Sequence, residues 1–359
     1  MLLQLPGAIP PPDGSDDPGV AWHYGDPFGE QRAAARGVVV VDRSHREILA
    51  VPGEDRLNWL HLLTSQHFNA LAEDAGTEAL VLDAHGRVEH HVVAANTNGT
   101  VWLDTERGYA EPLLSYLDSM RFWSRVEPRN ATAELAVLTV LGPDLASVLT
   151  GITVPEQEYG VAPLEGGGLV RRMPWPGPNA VDLLVPRESV VDWWLRLTGA
   201  GARAAGSWAF EALRVESLRA RLGVDTDDRT LPHELGWVPV AVHLEKGCYR
   251  GQETVSKVQN IGRSPRRMVL LHLDGSPEIR PETGDPVLHG ERTVGRVGSV
   301  AQHHELGPIA LALLKRSAPL DAELIAGAED RAVQAAVDPD SVPPDTPAPG
   351  REAAKGLRG

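Results

Sequence analysis

The chain has a single cysteine, Cys248, in 359 residues. Counting alone excludes an internal disulfide and any zinc site built only of cysteines. An iron-sulfur cluster needs about four cysteine ligands, or three with a substitute, so this chain cannot hold one by itself. Basic residues are also scarce: 34 Lys and Arg stand against 49 Asp and Glu, a formal charge of −15. That balance argues against nonspecific DNA or RNA binding, which depends on neutralising many phosphates. No uncharged stretch approaches the roughly 18 apolar residues that cross a bilayer. The start, Met1 to Pro12, has neither a basic region nor an apolar one of signal-peptide length, so a cytoplasmic protein is expected. There is no P-loop, no G-x-S-x-G elbow and no H-E-x-x-H.

What is present divides into a folded middle and two proline-rich ends. Residues 1–19 carry five prolines and residues 338–359 five more, a composition that buries too little to repay ordering; disordered tails are expected at 1–19 and 336–359. The length of the remainder calls for two or three units. Val38 to Val41 reads as a buried strand, followed by a turn at Asp42 to His45, a strand from Glu47 to Val51, and a helix from Glu54 to Leu63. Strands Glu78 to Asp83 and Arg87 to Ala94 flank a tight turn, and Gly99 to Leu103 and Ala110 to Met120 follow as strand and helix. The order recurs with a strand at Ala136 to Leu141, a short helix from Asp144, strands at Leu169 to Met173 and Ala180 to Val185, and a helix from Glu188 to Leu197. Ser207 to Leu222 is the clearest helix, with Ser207 as its cap and Gly223 at its end. Beyond Met268, short strands alternate with glycine and proline turns, as in a small β-barrel.

The densest run of positive charge lies between Glu245 and Arg267, with six bases against two acids. It opens with Lys246-Gly247-Cys248-Tyr249-Arg250-Gly251-Gln252-Glu253. A thiol near cations has its thiolate stabilised and becomes more nucleophilic, and the same cations hold anions. The alternative is an inert cysteine buried in a turn. His90-His91 lie adjacent on a strand and so point to opposite faces, poor geometry for one metal. His303-His304 reads as a solvated turn, and Trp193-Trp194 as core and edge packing.

The octapeptide resembles the signature of the YgfZ-type folate-binding proteins, relatives of the aminomethyltransferase (T-protein) of the glycine cleavage system. The similarity extends to Asp42-Arg43-Ser44-His45, to Arg214-Val215-Glu216 with Gly223-Val224-Asp225, to Leu231-Pro232-His233-Glu234, and to Gly284-Asp285-Pro286-Val287 and Val294-Gly295-Arg296-Val297 near the C-terminus. Together these span about residues 36–316. The resemblance implies an α+β fold: two ferredoxin-like α+β lobes, residues 20–133 and 134–265, forming a folate cleft, then a C-terminal β-barrel at 266–335.

It also implies a tetrahydrofolate-binding accessory factor in iron-sulfur cluster assembly or maintenance, with folate and iron-sulfur enzymes or assembly proteins as partners. Cys248 and Lys246 are then the candidate catalytic residues. Glu216, Tyr249, Arg250, Gly251, Gln252, Glu253, Asp42 and His45 are the candidate folate contacts, with Glu216 taking two hydrogens from the pterin edge. Arg250, Arg263 and Arg266 are candidates for the glutamate tail. Two departures separate the chain from the aminomethyltransferases: Gly86-Arg87-Val88-Glu89-His90-His91 stands where those enzymes carry a catalytic aspartate, and Cys248 stands where they carry an acid. Transferase chemistry, with Glu89 as a substitute carboxylate, remains the alternative, as does a thiol-based sensor that binds no folate.

Overall fold

Asp26-Pro27 opens the first helix, α1 (Pro27–Arg36), because the Asp26 carboxylate accepts from Gly29 N at 2.9 Å and proline occupies a position whose N–H has no helical partner. The valine run forms β1 (Val39–Asp42), and β2 (Glu47–Pro52), α2 (Arg56–Leu63), β3 (Ala75–Leu82), β4 (Val88–Thr97), β5 (Thr100–Thr105), α3 (Ala110–Ser119) and β6 (Arg129–Asn130) follow. Next come β7 (Leu135–Leu141), α4 (Leu145–Val148), β8 (Val161–Pro163), β9 (Leu169–Met173), β10 (Ala180–Pro186), α5 (Val190–Gly199), β11 (Arg203–Ala205) and α6 (Ser207–Glu216). Two short helices, α7 (Val238–Ala241) and α8 (Gln252–Asn260), precede β12 (Arg266–Asp274), β13 (Pro286–His289), β14 (Arg292–His303), β15 (Gly307–Lys315), β16 (Leu324–Ala326) and β17 (Val333–Val337). This computed structural model describes residues 2–260, 263–274 and 279–344.

The strands make a mixed α+β fold: a six-stranded sheet ordered β11-β1-β7-β10-β9-β8, a five-stranded sheet ordered β3-β4-β5-β2-β6, and a closed barrel of β12 to β17. The chain does not divide at residue 133 as the repeated element order suggests. β1, from the first expected lobe, inserts between β7 and β11 of the second, antiparallel to one and parallel to the other. Its three valines are fully buried, which suits an interior strand covered on both faces.

Two compact units result. The first comprises residues 1–61, 68–78 and 92–217, and the second residues 62–67, 79–91 and 218–359. Between the two sheets of the first unit, Ile48 and Ala50 of β2 pack with Val137, Leu169 and Leu184. Beside them runs a buried ionic network. Arg171 donates to Asp182 at 2.9 Å and lies 2.7 Å from Asp104, and Arg46 donates to Asp104 at 2.7 Å and to Glu106. Opposite charges and hydrogen bonds offset the desolvation of each ion.

Three expectations need correction. Residues 2–19 are ordered in this structure: Leu2 joins the apolar core at 1% exposure, Ile9 N bonds to His23 O at 2.9 Å, and Asp17 pairs with His45 at 3.0 Å. The prolines fit because the segment packs as irregular backbone. The helix expected to reach Leu222 stops at Glu216, since Leu218 takes a left-handed φ of +56°. The barrel runs past residue 335, because β16 and β17 close it and Asp338 N bonds back to Leu270 O at 2.9 Å. The remainder of the expected C-terminal tail, from residue 345, lies outside the described residues.

Candidate functional site

The octapeptide lies in the second unit, running from the loop after α7 into the first turn of α8, and backbone contact sets its course. Gly251 has φ +82° and lies against the turn between β3 and β4, where a Cβ on it would fall 2.6 Å from Asp83 O and 2.7 Å from Gly86 Cα. Gly86, at φ +77°, reciprocates: a Cβ there would meet Thr254 Cβ at 2.8 Å. Two glycines are needed because only they combine left-handed backbone with so close an approach. Asp83 holds the turn from its own side, accepting from His85 N at 2.8 Å and Arg87 N at 2.7 Å.

Lys246 anchors the other end of the loop. It is buried at 4% exposure, and its Nζ donates to Thr64 O at 2.6 Å and Gln66 O at 3.1 Å. Burial lowers its pKa to about 8. The ammonium also lies 5.1 Å from the centre of the Tyr249 ring, a cation–π contact, and burial raises that phenol to about 12. Gln252 Nε2 donates to Lys246 O at 3.3 Å, tying the first turn of α8 to the anchor. Arg250 Nη1 donates to Glu89 Oε2 on β4 at 2.9 Å, with both side chains part exposed. Cys248 and Glu253 are exposed. The cations flanking Cys248 thus point to named oxygens, and the thiol faces solvent where a buried turn cysteine was the alternative.

The remaining candidates lie in the first unit. Glu216, at the end of α6, is exposed and lines a cleft of about 240 Å³ with Ala34, Leu141, Pro143, Pro176 and Leu213. Asp42 and His45 are not among that lining. Asp42 is buried, its carboxyl is raised by desolvation, and it accepts from Ser44 N at 2.9 Å; His45 pairs with Asp17. Both hold the turn between β1 and β2.

Several residues of the resemblance form internal supports of the second unit. Asp225 accepts from Ser299 N at 2.7 Å, Ser299 Oγ at 2.9 Å and Arg221 N at 2.8 Å, and Gly298 leaves room for it. Arg266, expected at a ligand tail, is held by two acids: Glu234 at 2.8 Å and 3.0 Å, and Asp227 at 2.5 Å and 3.0 Å. Asp227 is lowered well below the carboxylate range, although burial opposes it, because Arg266 and Thr230 bond to its charged form. Arg263 is exposed. His90 is buried and lowered to about 4 by desolvation, while His91 stacks on Trp237 at 4.7 Å. His303, read as solvated, is 2% exposed and accepts from Leu306 N at 3.1 Å, because β14 runs on to include it.

One polar residue escaped the sequence reading. Glu78 is 1% exposed and accepts hydrogen bonds from Tyr159 Oη and, at 2.9 Å, from Trp175 Nε1. The signal was its parity on β3, which puts it on the same face as Leu80 and Leu82.

Comparison with known proteins agrees with this architecture. The GCVT N-terminal domain family matches residues 25–246, and the CAF17 C-terminal beta-barrel domain matches residues 266–344. The chain therefore belongs to the GCVT family, in the arrangement that carries a CAF17-type barrel. It is 28% identical to an aminomethyltransferase of Nitrosococcus oceani over 72% of each chain, and 28% identical to one of Thermus thermophilus over 86% of this chain and 88% of that protein. A putative chloroplastic transferase of Arabidopsis thaliana is 23% identical over 82% of this chain and 69% of its own length. Among solved structures, the aminomethyltransferase T of the Bartonella henselae glycine cleavage system shares the fold at a TM-score of 0.82, with 18% identity, covering 95% of this chain and 96% of that one. No helix among the described residues is long and apolar enough to cross a membrane.

Proposed function

We propose that the chain is a tetrahydrofolate-binding accessory factor that works in the cytoplasm with iron-sulfur enzymes or their assembly proteins. The observation that carries this reading is the anchored loop of residues 246–253, which holds an exposed thiol, Cys248, beside the Glu89–Arg250 pair. Family membership supports folate as the ligand. The cleft at Glu216 fits a pterin in chemistry: a carboxylate able to accept two N–H donors stands beside leucine and proline surfaces that suit a flat ring. Bound there, tetrahydrofolate would supply a one-carbon carrier. Lys246 acts by positioning the loop, its ammonium being directed at two carbonyl oxygens. Cys248 contributes one ligand or a transient thiolate to a complex whose other cysteines come from a partner.

Calorimetric titration with tetrahydrofolate tests the ligand. Binding that is lost in Glu216→Gln with unchanged melting supports the assignment, and no heat with the wild-type protein sinks it. Complementation of a deletion strain tests the role. Cys248→Ala should fail to restore iron-sulfur enzyme activity, and full restoration would refute a part for the thiol.

Aminomethyl transfer is the second reading, favoured by the aminomethyltransferases among the relatives. The buried His90 and the stacked His91 offer no carboxylate, and the nearby Glu89 is engaged by Arg250. Methylene-tetrahydrofolate formation from a lipoyl-bound aminomethyl group at enzyme-like rates would establish it.

A further inference from the structure

Two adjacent aromatic side chains in the first unit face solvent: Phe122 is 78% exposed and Trp123 is 98% exposed. They occupy a turn that is built firmly. Phe122 has φ +42°, a left-handed conformation that a bulky residue adopts only when its surroundings impose it. Trp59 Nε1 donates to Met120 O at 3.0 Å before the turn. After it, Arg125 is clamped to Asp55 through its backbone N at 2.8 Å and its guanidinium at 3.1 Å and 3.2 Å. Gly53, at φ +128°, lies against Arg125 O so closely that a Cβ would come within 2.2 Å. Strained backbone held by this many contacts displays the aromatics outward, where they make no use of their apolar area.

Beside the turn lies a cleft of about 550 Å³ whose lining includes Pro52, Gly53, buried Val126, and the exposed Arg121 and Glu127. The knob adjoins the cleft in sequence, because Arg121, Ser124, Arg125, Val126 and Glu127 on either side of it line the cleft; of the charges there, Arg125 pairs with Glu54 and Asp55, and Arg121 and Glu127 supply one of each sign. Such a face is complementary to itself across a two-fold axis, where each knob meets the other copy's cleft and Arg121 meets Glu127. We infer that this face is a homodimer interface, in which Trp123 and Phe122 of each copy seat in the cleft of the other. Phe and Trp bury roughly 150–250 Å² each, so the four aromatics supply about 600–1,000 Å², half or more of the roughly 1,200 Å² that the smaller stable interfaces bury. Locally Glu54, Asp55 and Glu127 outnumber Arg121 and Arg125, an acidic excess that disfavours an anionic lipid surface as the occupant.

Sedimentation velocity of the full chain, from micromolar to near-millimolar concentration, tests this. The wild type should show a reversible monomer–dimer equilibrium. Trp123→Ser should weaken dimerisation roughly 30-fold or more, the effect of truncating an interface anchor. Arg121→Glu and Glu127→Arg should each weaken it, and the double reversal should restore it, a rescue that a folding defect does not mimic. A wild type that stays monomeric throughout overturns the inference, as does a Trp123→Ser variant that dimerises normally. Co-sedimentation of a monomeric wild type with phosphatidylserine vesicles, lost on Trp123→Ser, would assign the knob to a membrane and overturn it too.

Discussion

Replacing Gly251 by alanine perturbs the octapeptide loop without touching any of its polar groups. Two costs arise. The left-handed φ of +82° costs an L-residue roughly 1–2 kcal/mol. The new methyl group meets Asp83 O at 2.6 Å and Gly86 N at 2.9 Å, backbone atoms that cannot rotate away. Displacing the loop to relieve this falls in the range of overpacking, roughly 1–3 kcal/mol. Gly251→Ala should therefore lower the stability of the second unit by about 2–5 kcal/mol. Urea unfolding followed by circular dichroism measures the loss. Gly86→Ala should lose stability for the same reason, since its Cβ meets Thr254 at 2.8 Å and Gly251 O at 3.1 Å. Because either alanine already separates the same two chain segments, the double variant should lose less than the sum. A Gly251→Ala protein within about 0.5 kcal/mol of wild type would refute the close-approach argument, and so would strict additivity.

Other expectations follow from the supports of the same unit. Lys246 has its folded pKa lowered from 10.5 to about 8 by burial. Between those values the unfolded chain binds the extra proton, so stability should rise with pH across that window and be independent of this group below it. Lys246→Met should abolish the rise in a urea-melt series against pH, and an unchanged profile would exclude Lys246 as its source. Asp225→Ala removes the acceptor of two backbone N–H groups and one hydroxyl and leaves buried donors unpaired; a loss of about 3–5 kcal/mol is expected by chemical denaturation. Arg171→Met leaves Asp182 a buried charge held only by the Thr139 hydroxyl and the more distant Arg43, and takes one of two cations from Asp104, which keeps Arg46; a cost of about 3 kcal/mol is expected by chemical denaturation.

Local patterns carried most of the element content. Buried runs such as Ala136 to Leu141, with a glycine or proline at their ends, fell where β7 and its neighbours lie, because β-branched residues and turn-formers act over a few positions. The octapeptide was legible as one loop for the same reason. Partnership at a distance was not. Nothing within Val39 to Val41 says that the strand pairs with Leu141 on one side and Arg203 on the other, since register is decided by tertiary contact. The tail was misread on composition: five prolines in 1–19 outweighed Leu2 and Asp17, each of which finds a partner remote in sequence. At the candidate site the residue types were visible, but not their directions. Lys246 and Arg266 read as ligand-binding cations and are directed at carbonyl and carboxylate oxygens of the protein itself.

The exposure of Cys248, in a chain with no second cysteine, sets its oxidative chemistry. A sulfenic acid formed there has no resolving thiol within its own chain. Its return to the reduced state depends on a thiol from outside, a small molecule or a partner's cysteine, arriving before a second oxidant converts it irreversibly to the sulfinic acid. The supply of external thiol therefore governs how long each molecule keeps its one sulfhydryl.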